Sequence, residues 1–211
     1  MQPGKFITVE GTEGVGKSTN IELIKNLIEA RNIELVITRE PGGTPLAEEI
    51  RELLLEKREE KFDPTAELLL VFAARAQHLN TVILPALNEG KWVLCDRFTD
   101  ATFAYQGAGR GLPWDTISEL EQLVQKGRQP DMTLLLDISV RIGLERASAR
   151  AELDRFESEK IEFFERVRQG YHERVKQRPE IFFVVDAGKS LEQVQTVIER
   201  QLEHQLDLWC S

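Results

Sequence analysis

The stretch from Lys5 to Thr19, KFITVEGTEGVGKST, leaves this chain few folds to choose from, because it joins a short apolar strand to a glycine-rich turn and then to the start of a helix. In the pattern GxxxxGK[ST], Gly11 and Gly16 frame the turn, Gly14 adds another position without a side chain, Lys17 supplies a mobile ammonium and Ser18 a hydroxyl. Backbone N–H groups converge on an anion only where no Cβ intervenes, and the helix that follows aims its unsatisfied N–H groups at the same place. The run Gly11, Thr12, Glu13, Gly14, Val15, Gly16, Lys17, Ser18 and Thr19 is therefore a candidate cradle for the phosphates of a nucleoside triphosphate. Lys17 is placed to reach the terminal phosphates and Ser18 to ligate magnesium. The plainer alternative, a glycine-rich turn that merely caps a helix, does not account for the strand and helix patterns on either side.

The remainder reads as an α/β alternation. Ile21, Ile24, Leu27 and Ile28 share one face, so Lys17 to about Ala30 is an amphipathic helix. Ile33–Thr38 reads as a second strand, Lys91–Asp96 as a third, Met132–Ile138 as a fourth and Ile181–Asp186 as a fifth. Helices are expected over Leu46–Leu55, Thr65–Leu87, Trp114–Lys126, Ile142–Ala149, Ile161–Arg178 and Leu191–Leu206, with Pro85 bending the end of the second. Ligands of such parallel sheets sit outside the carboxyl ends of the strands. Three polar segments fall at those ends. TREPGGT, Thr38–Thr44, carries Arg39 and is either an ordinary turn or a substrate loop. Asp96 and Arg97 close the third strand, where they either pair with neighbours or serve as metal anchor and phosphate clamp. Phe98–Gly111 mixes hydroxyls, aromatics and glycines and is expected to be a loop folded over a polar ligand. In the long helix Phe72 and Arg75 share a face, suited to stacking on a base and bonding its edge, although a core ring beside a surface arginine is the commoner pairing. His78 is expected at the surface, and Glu56–Pro64 as a solvated charged connector.

Glu145–Glu157 contains few large apolar residues and three arginines, Arg146, Arg150 and Arg155. It is either a solvated helix surface or a mobile lid that brings positive charge to a phosphoryl group while excluding water.

With 211 residues and a hydrophobic fraction of 41%, the expectation is one domain over residues 1–211 with a mobile lid at about 145–157. A net charge of −9 argues against a nucleic-acid binder, which needs a cationic surface. No run of about eighteen apolar residues is evident, and the N-terminus leads into strand and loop without signal-peptide anatomy, so a cytoplasmic protein with no membrane partner is expected. Two cysteines make no disulfide framework; Cys95 reads as a small buried residue and Cys210 as a tail thiol.

EGTEGVGKST, TREPGGT, LLLVFAAR, CDRF, AYQG and LLLDI, in that order and spacing along nearly the whole chain, resemble the thymidylate kinases. The resemblance implies a three-layer P-loop nucleoside-monophosphate-kinase fold, a central parallel five-stranded sheet flanked by helices, magnesium-bound ATP and dTMP as substrates, and a homodimer. It further implies ATP phosphates on Gly11–Ser18, Glu13 near the deoxyribose 3′-hydroxyl, Phe72 stacked on thymine, Arg75 at the base edge and Arg97 on the dTMP phosphate. Thr102, Tyr105 and Gln106 would flank sugar and base, with Arg39 and Arg110 as weaker candidates. Some members place an arginine inside the phosphate loop; Thr12–Val15 contain none, so this chain is similar to the subclass whose lid supplies it. The implied catalytic set is Lys17, Arg97, Arg146, Arg150 and Arg155, with Ser18 and Asp96 toward magnesium. Two other readings remain, a kinase for a different nucleoside monophosphate and a non-catalytic NTP-binding switch; against the latter, no NKxD base-reading motif occurs.

Overall fold

The computed structural model describes residues 4–149 and 154–210. Five strands, β1 (Phe6–Glu10), β2 (Leu35–Arg39), β3 (Trp92–Asp96), β4 (Met132–Asp137) and β5 (Phe182–Asp186), form one parallel sheet in the order β2-β3-β1-β4-β5. β1 is central, its Val9 opposite Asp96 of β3 and Leu134 of β4. Glu10, Asp96 and Asp137 therefore arrive together at the carboxyl edge of the sheet.

The strands alternate between two cores, as the period of two requires. Ile7, Val9, Leu94 and Leu134 point to one face, covered by Ile24 and Ile28 of α1 (Lys17–Glu29) and by Val194 and Ile198 of the C-terminal helix, Leu191–Cys210. Phe6, Val93 and Cys95 point to the other face, against Leu79, Ile83 and Leu87. Beside them Leu135 and Phe182 meet Phe164, Val167 and Tyr171 of the helix Ile161–Gln177. Cys95 is buried and Cys210 exposed, both as free thiols.

Between β2 and β3 the chain forms α2 (Pro45–Leu55) and α3 (Pro64–His78), each begun by a proline in its first turn and capped, by Thr44 and Asp63 respectively. The helix expected over Thr65–Leu87 is interrupted by a wide π-helical turn at Leu79–Ile83 before α4 (Leu84–Asn88) completes it. Taken as one element, Pro64–Asn88 is long and apolar enough by length and composition to cross a membrane, contrary to the expectation that no such stretch exists. It is instead a core helix, carrying Glu67, Arg75 and His78 fully inside the protein.

The segment after β3 also departs from expectation. Phe98–Gly111 is not an open loop: α5 (Thr99–Thr102) runs into a π-helical stretch, Phe103–Gly109, with Phe103, Ala104 and Tyr105 buried. Small residues permit this. Gly170 on the helix Ile161–Gln177 lies so close that an added Cβ would sit 2.8 Å from Ala108 Cβ and 2.9 Å from Ala104 Cα. Close helix contact overrides the loop-like composition. α6 (Trp114–Gln125), α7 (Val140–Ser148), α8 (Ile161–Gln177) and α9 (Leu191–Cys210) complete the order.

Candidate active site

The phosphate loop is shaped by its glycines. Gly14 holds φ 72° and lies against α7, where an added Cβ would stand 1.9 Å from the Gly143 carbonyl oxygen. Gly16 occupies the N-cap of α1 in the left-handed region and offers no side-chain cap, so the first N–H groups of the helix remain available to an anion. Lys17 Nζ donates to the Gly11 and Thr12 carbonyls at 3.2 and 3.1 Å, which holds its ammonium over the loop. Burial, and then the neighbouring Arg97, lower the Lys17 pKa from its ordinary value. Ser18, Asp96, Lys17 and Arg97 line one opening beside the loop. Among the described residues Asp96 Oδ1 is buried without a hydrogen-bond partner, an orphan acceptor in the opening that Ser18 also lines. Among the described residues no group of three or more His, Cys, Asp or Glu is placed to hold a metal by itself. One hydroxyl and one carboxylate suit magnesium carried in with substrate phosphates and water.

Arg97 has φ 69°, an uncommon backbone for a side chain of its size and one that clusters at functional sites. The turn is pinned from both sides: Arg97 N–H donates to Val9 O at 3.0 Å, and Phe98 N–H to Glu10 Oε1 at 2.7 Å. Its Nη2 then reaches Glu13 Oε1 at 2.6 Å and Tyr105 OH at 2.9 Å, while its Nε is buried without a partner. Burial alone would raise the Glu13 pKa, but Arg97 and Lys17 outweigh it and hold the carboxyl at about 2. Glu10 behaves oppositely. Buried, beside Asp100, and bonded by Phe98 N–H and the Tyr171 hydroxyl, it is pushed up to about 8.

A second pocket opens next to the loop, lined among others by Glu13, Arg51, Val71, Arg75, Arg97, Tyr105, Gln106 and Phe156. Arg75 is 2% exposed and almost fully engaged. Its Nε donates to Glu40 Oε2 at 2.6 Å and its Nη2 to Thr102 Oγ1 at 2.9 Å and Phe98 O at 3.2 Å, leaving buried Nη1 as the one nitrogen without a partner. Glu40 is in turn bonded by His78 Nδ1 at 3.0 Å, and His78 Nε2 meets Thr38 Oγ1 at 2.6 Å. His78 is thus wholly buried, not at the surface, because it braces the carboxylate that orients Arg75.

Phe72 does not line this pocket. Its ring lies in a core cluster with Leu68, Phe103 and Ile117, 4.9 Å beneath the Arg75 guanidinium, while Val71 faces the pocket. The i, i+4 pair shares the pocket face, and i, i+3 turns to the core side. Gln106 Nε2 donates to Glu67 at 2.9 Å. Arg39 is outside the pocket, exposed and paired with Glu48 at 2.9 Å. Arg110 pairs with Glu67 and Glu159. Arg146 on α7 donates to Ala187 O at 3.1 Å, at the end of β5. Arg150 lies outside the described residues. Arg155 turns toward α3, 2.7 Å from Glu67, and lines neither opening beside the loop.

Sequence reasoning missed Arg51, which lines both openings and donates to Pro41 O at 2.8 Å. A signal exists: Ala47, Arg51 and Leu54 recur at helical spacing, so Arg51 stands in the inward stripe of α2. Glu40, Glu67 and His78 were missed likewise, the last two as polar interruptions of an apolar stripe.

A parallel sheet with a glycine cradle at its central strand, an unpartnered aspartate oxygen beside it and an adjoining pocket lined by Arg51, Arg75 and Arg97 fits a phosphate-loop nucleotide kinase. Residues 9–198 match the family model described as thymidylate kinase. A thymidylate kinase of Teredinibacter turnerae is 66% identical over 200 residues, covering 95% of this chain and 98% of the relative. Another from Hahella chejuensis is 58% identical over 206 residues, covering 98% and 99%. The crystal structure of thymidylate kinase from Ehrlichia chaffeensis superposes with a TM-score of 0.76 at 34% identity, covering 95% of this chain and 99% of that one. The chain belongs to the thymidylate kinase family.

Proposed function

We propose that the chain transfers the γ-phosphoryl group of ATP in line to the phosphate of dTMP, giving dTDP and ADP toward dTTP synthesis. The observation that carries the acceptor assignment is Arg75: every donor but Nη1 is committed to protein, and the residue lines the pocket. A single uncommitted donor nitrogen suits a carbonyl on a base edge and leaves an amino group at that place unpaired, which costs affinity. Val71 supplies an apolar wall, with Phe72 supporting the guanidinium from behind.

Glu13, ionised because Arg97 and Lys17 hold its proton affinity down, accepts from the sugar hydroxyl. Arg97, with its unpaired Nε, and Arg51 clamp the acceptor phosphate. Thr102, Tyr105 and Gln106 fix this wall through Arg75, Glu13 and Glu67. Gly11–Thr19 cradle the ATP phosphates, and Lys17 meets the charge that develops on the moving group. Ser18 and Asp96 would hold magnesium, which would supply charge neutralisation on the phosphates. Arg146 and Arg150 are the lid arginines assigned to the donor side. We place the chain in the cytoplasm as a homodimer; the exposed leucines Leu46, Leu53, Leu69 and Leu123 on α2, α3 and α6 support a partner surface there.

The test is a coupled ADP-release assay across nucleoside monophosphates. Release that depends on dTMP and magnesium, with other monophosphates poor, is the expected result. Preference for another monophosphate by folded protein would overturn the acceptor assignment.

A further inference from the structure

Glu67 is an unusual residue to find in the first turn of a helix, for it is 1% exposed and surrounded by cations. Its carboxylate receives Gln106 Nε2 at 2.9 Å, Arg110 Nε and Nη2 at 3.2 Å each, and Arg155 Nη1 at 2.7 Å. Arg110 also pairs with Glu159, so two arginines and two carboxylates neutralise one another.

Arg155 is seated on the end of α2 as well. Its backbone N–H donates to Leu55 O at 3.2 Å and its Nε to Leu54 O at 2.6 Å, satisfying carbonyls that the helix leaves open. Its guanidinium lies 4.2 Å from the centroid of Phe156 and 4.8 Å from that of Phe62. Phe156 in turn meets Tyr105 edge-to-face at 6.0 Å and lines the Arg75 pocket.

The contacts of Arg155 thus lead to the acceptor side. We propose that Glu67 and Arg155 act as positioning residues, together forming a seat that holds Phe156 as one wall of the monophosphate pocket. The seat ties residues 154–159 to the α3 element that carries Arg75, so acceptor binding and the position of this segment depend on the same ion pair. The proposal rests on the reading of that pocket as the dTMP site.

Steady-state kinetics and calorimetric dTMP binding of Arg155→Met, Arg155→Lys, Glu67→Gln and the Glu67→Gln/Arg155→Met double variant, with thermal unfolding alongside, test it. Arg155→Met is expected to raise both Kd and KM for dTMP at least about tenfold, with kcat at saturating dTMP and KM for ATP within about threefold of the parent. Arg155→Lys is expected to recover only part of the loss, since an ammonium cannot bond the carboxylate and Leu54 O as a fork. The double variant is expected to cost less than the sum of the singles. If Glu67→Gln does not fold, the two Arg155 variants decide. A fall in kcat of about a hundredfold with unchanged dTMP Kd would overturn the proposal and return Arg155 to the transferred phosphoryl group. Unchanged binding and turnover would overturn it too. Parent protein that prefers another monophosphate defeats the acceptor assignment alone, and the same comparison is then made with that acceptor.

Discussion

The phosphate loop and the pocket beside it share one end of the sheet but are built from different materials. The loop is backbone: glycines in the left-handed region, open N–H groups at the start of α1, and a lysine folded over its carbonyls. The pocket is lined by charged side chains held in pairs, Arg75 with Glu40 fully buried and Arg97 with Glu13 partly so, and Arg155 pairs with Glu67 behind its Phe156 wall. A backbone site needs only a contiguous stretch of chain. A pocket of buried ion pairs needs distant elements in register, because each charge is tolerable inside only while its partner is in place. On the proposed function the first kind would meet the donor's phosphates and the second would select the acceptor.

The contrast predicts separable failures. Lys17→Ala is expected to lower kcat by about a thousandfold, the upper range for losing one preorganised donor, with little change in thermal stability. Comparable loss of stability would show that the loop, like the pocket, is held by its side-chain interactions. Glu40→Gln is expected to combine both effects on a smaller kinetic scale: a dTMP KM raised about thirtyfold, an unchanged ATP KM, and roughly 3 kcal/mol less stability because Arg75 loses its buried counter-charge. Equal shifts in the two KM values would erase the distinction between the halves.

The smallest kinetic effect belongs to Glu10, near Arg97, where the consequence is for stability. Its carboxyl is raised from 4.5 to about 8, so the folded state holds a proton that the unfolded chain has released, and folding stability falls as pH rises between those values. Glu10→Gln is expected to lose this contribution, gaining on the parent by up to roughly 1.4 kcal/mol per pH unit across that window. Parallel stability curves from pH 5 to pH 8 would contradict the burial of an unpaired acid there.

The difference in materials also decides what one sequence discloses. β1, the phosphate loop, α1 and the acids closing β3 and β4 are local patterns and appear in the fold with boundaries shifted by a residue or two. Arg75, Arg97 and Tyr105, singled out through motif order, line one pocket. Phe72 does not line it: Phe72 and Val71 are neighbours, and only packing against Phe103 and Ile117 decides which of the two turns to the core. His78 and Glu40 are partners across 38 positions, and Arg155 and Glu67 come from different elements, so no local spacing announces them. Phe98–Gly111 reads as a loop over a polar ligand from its mix of hydroxyls, aromatics and glycines, whereas Ala104, Ala108 and Gly109 admit the close approach of α8.

The most direct test of the division between a backbone donor site and a side-chain acceptor site is the pair of KM values of Arg75→Ala. Removing the guanidinium whose Nη1 is uncommitted in the acceptor pocket should raise the dTMP KM by about a hundredfold while the ATP KM stays within about twofold. An equal rise in both, or a rise for ATP alone, would contradict the account.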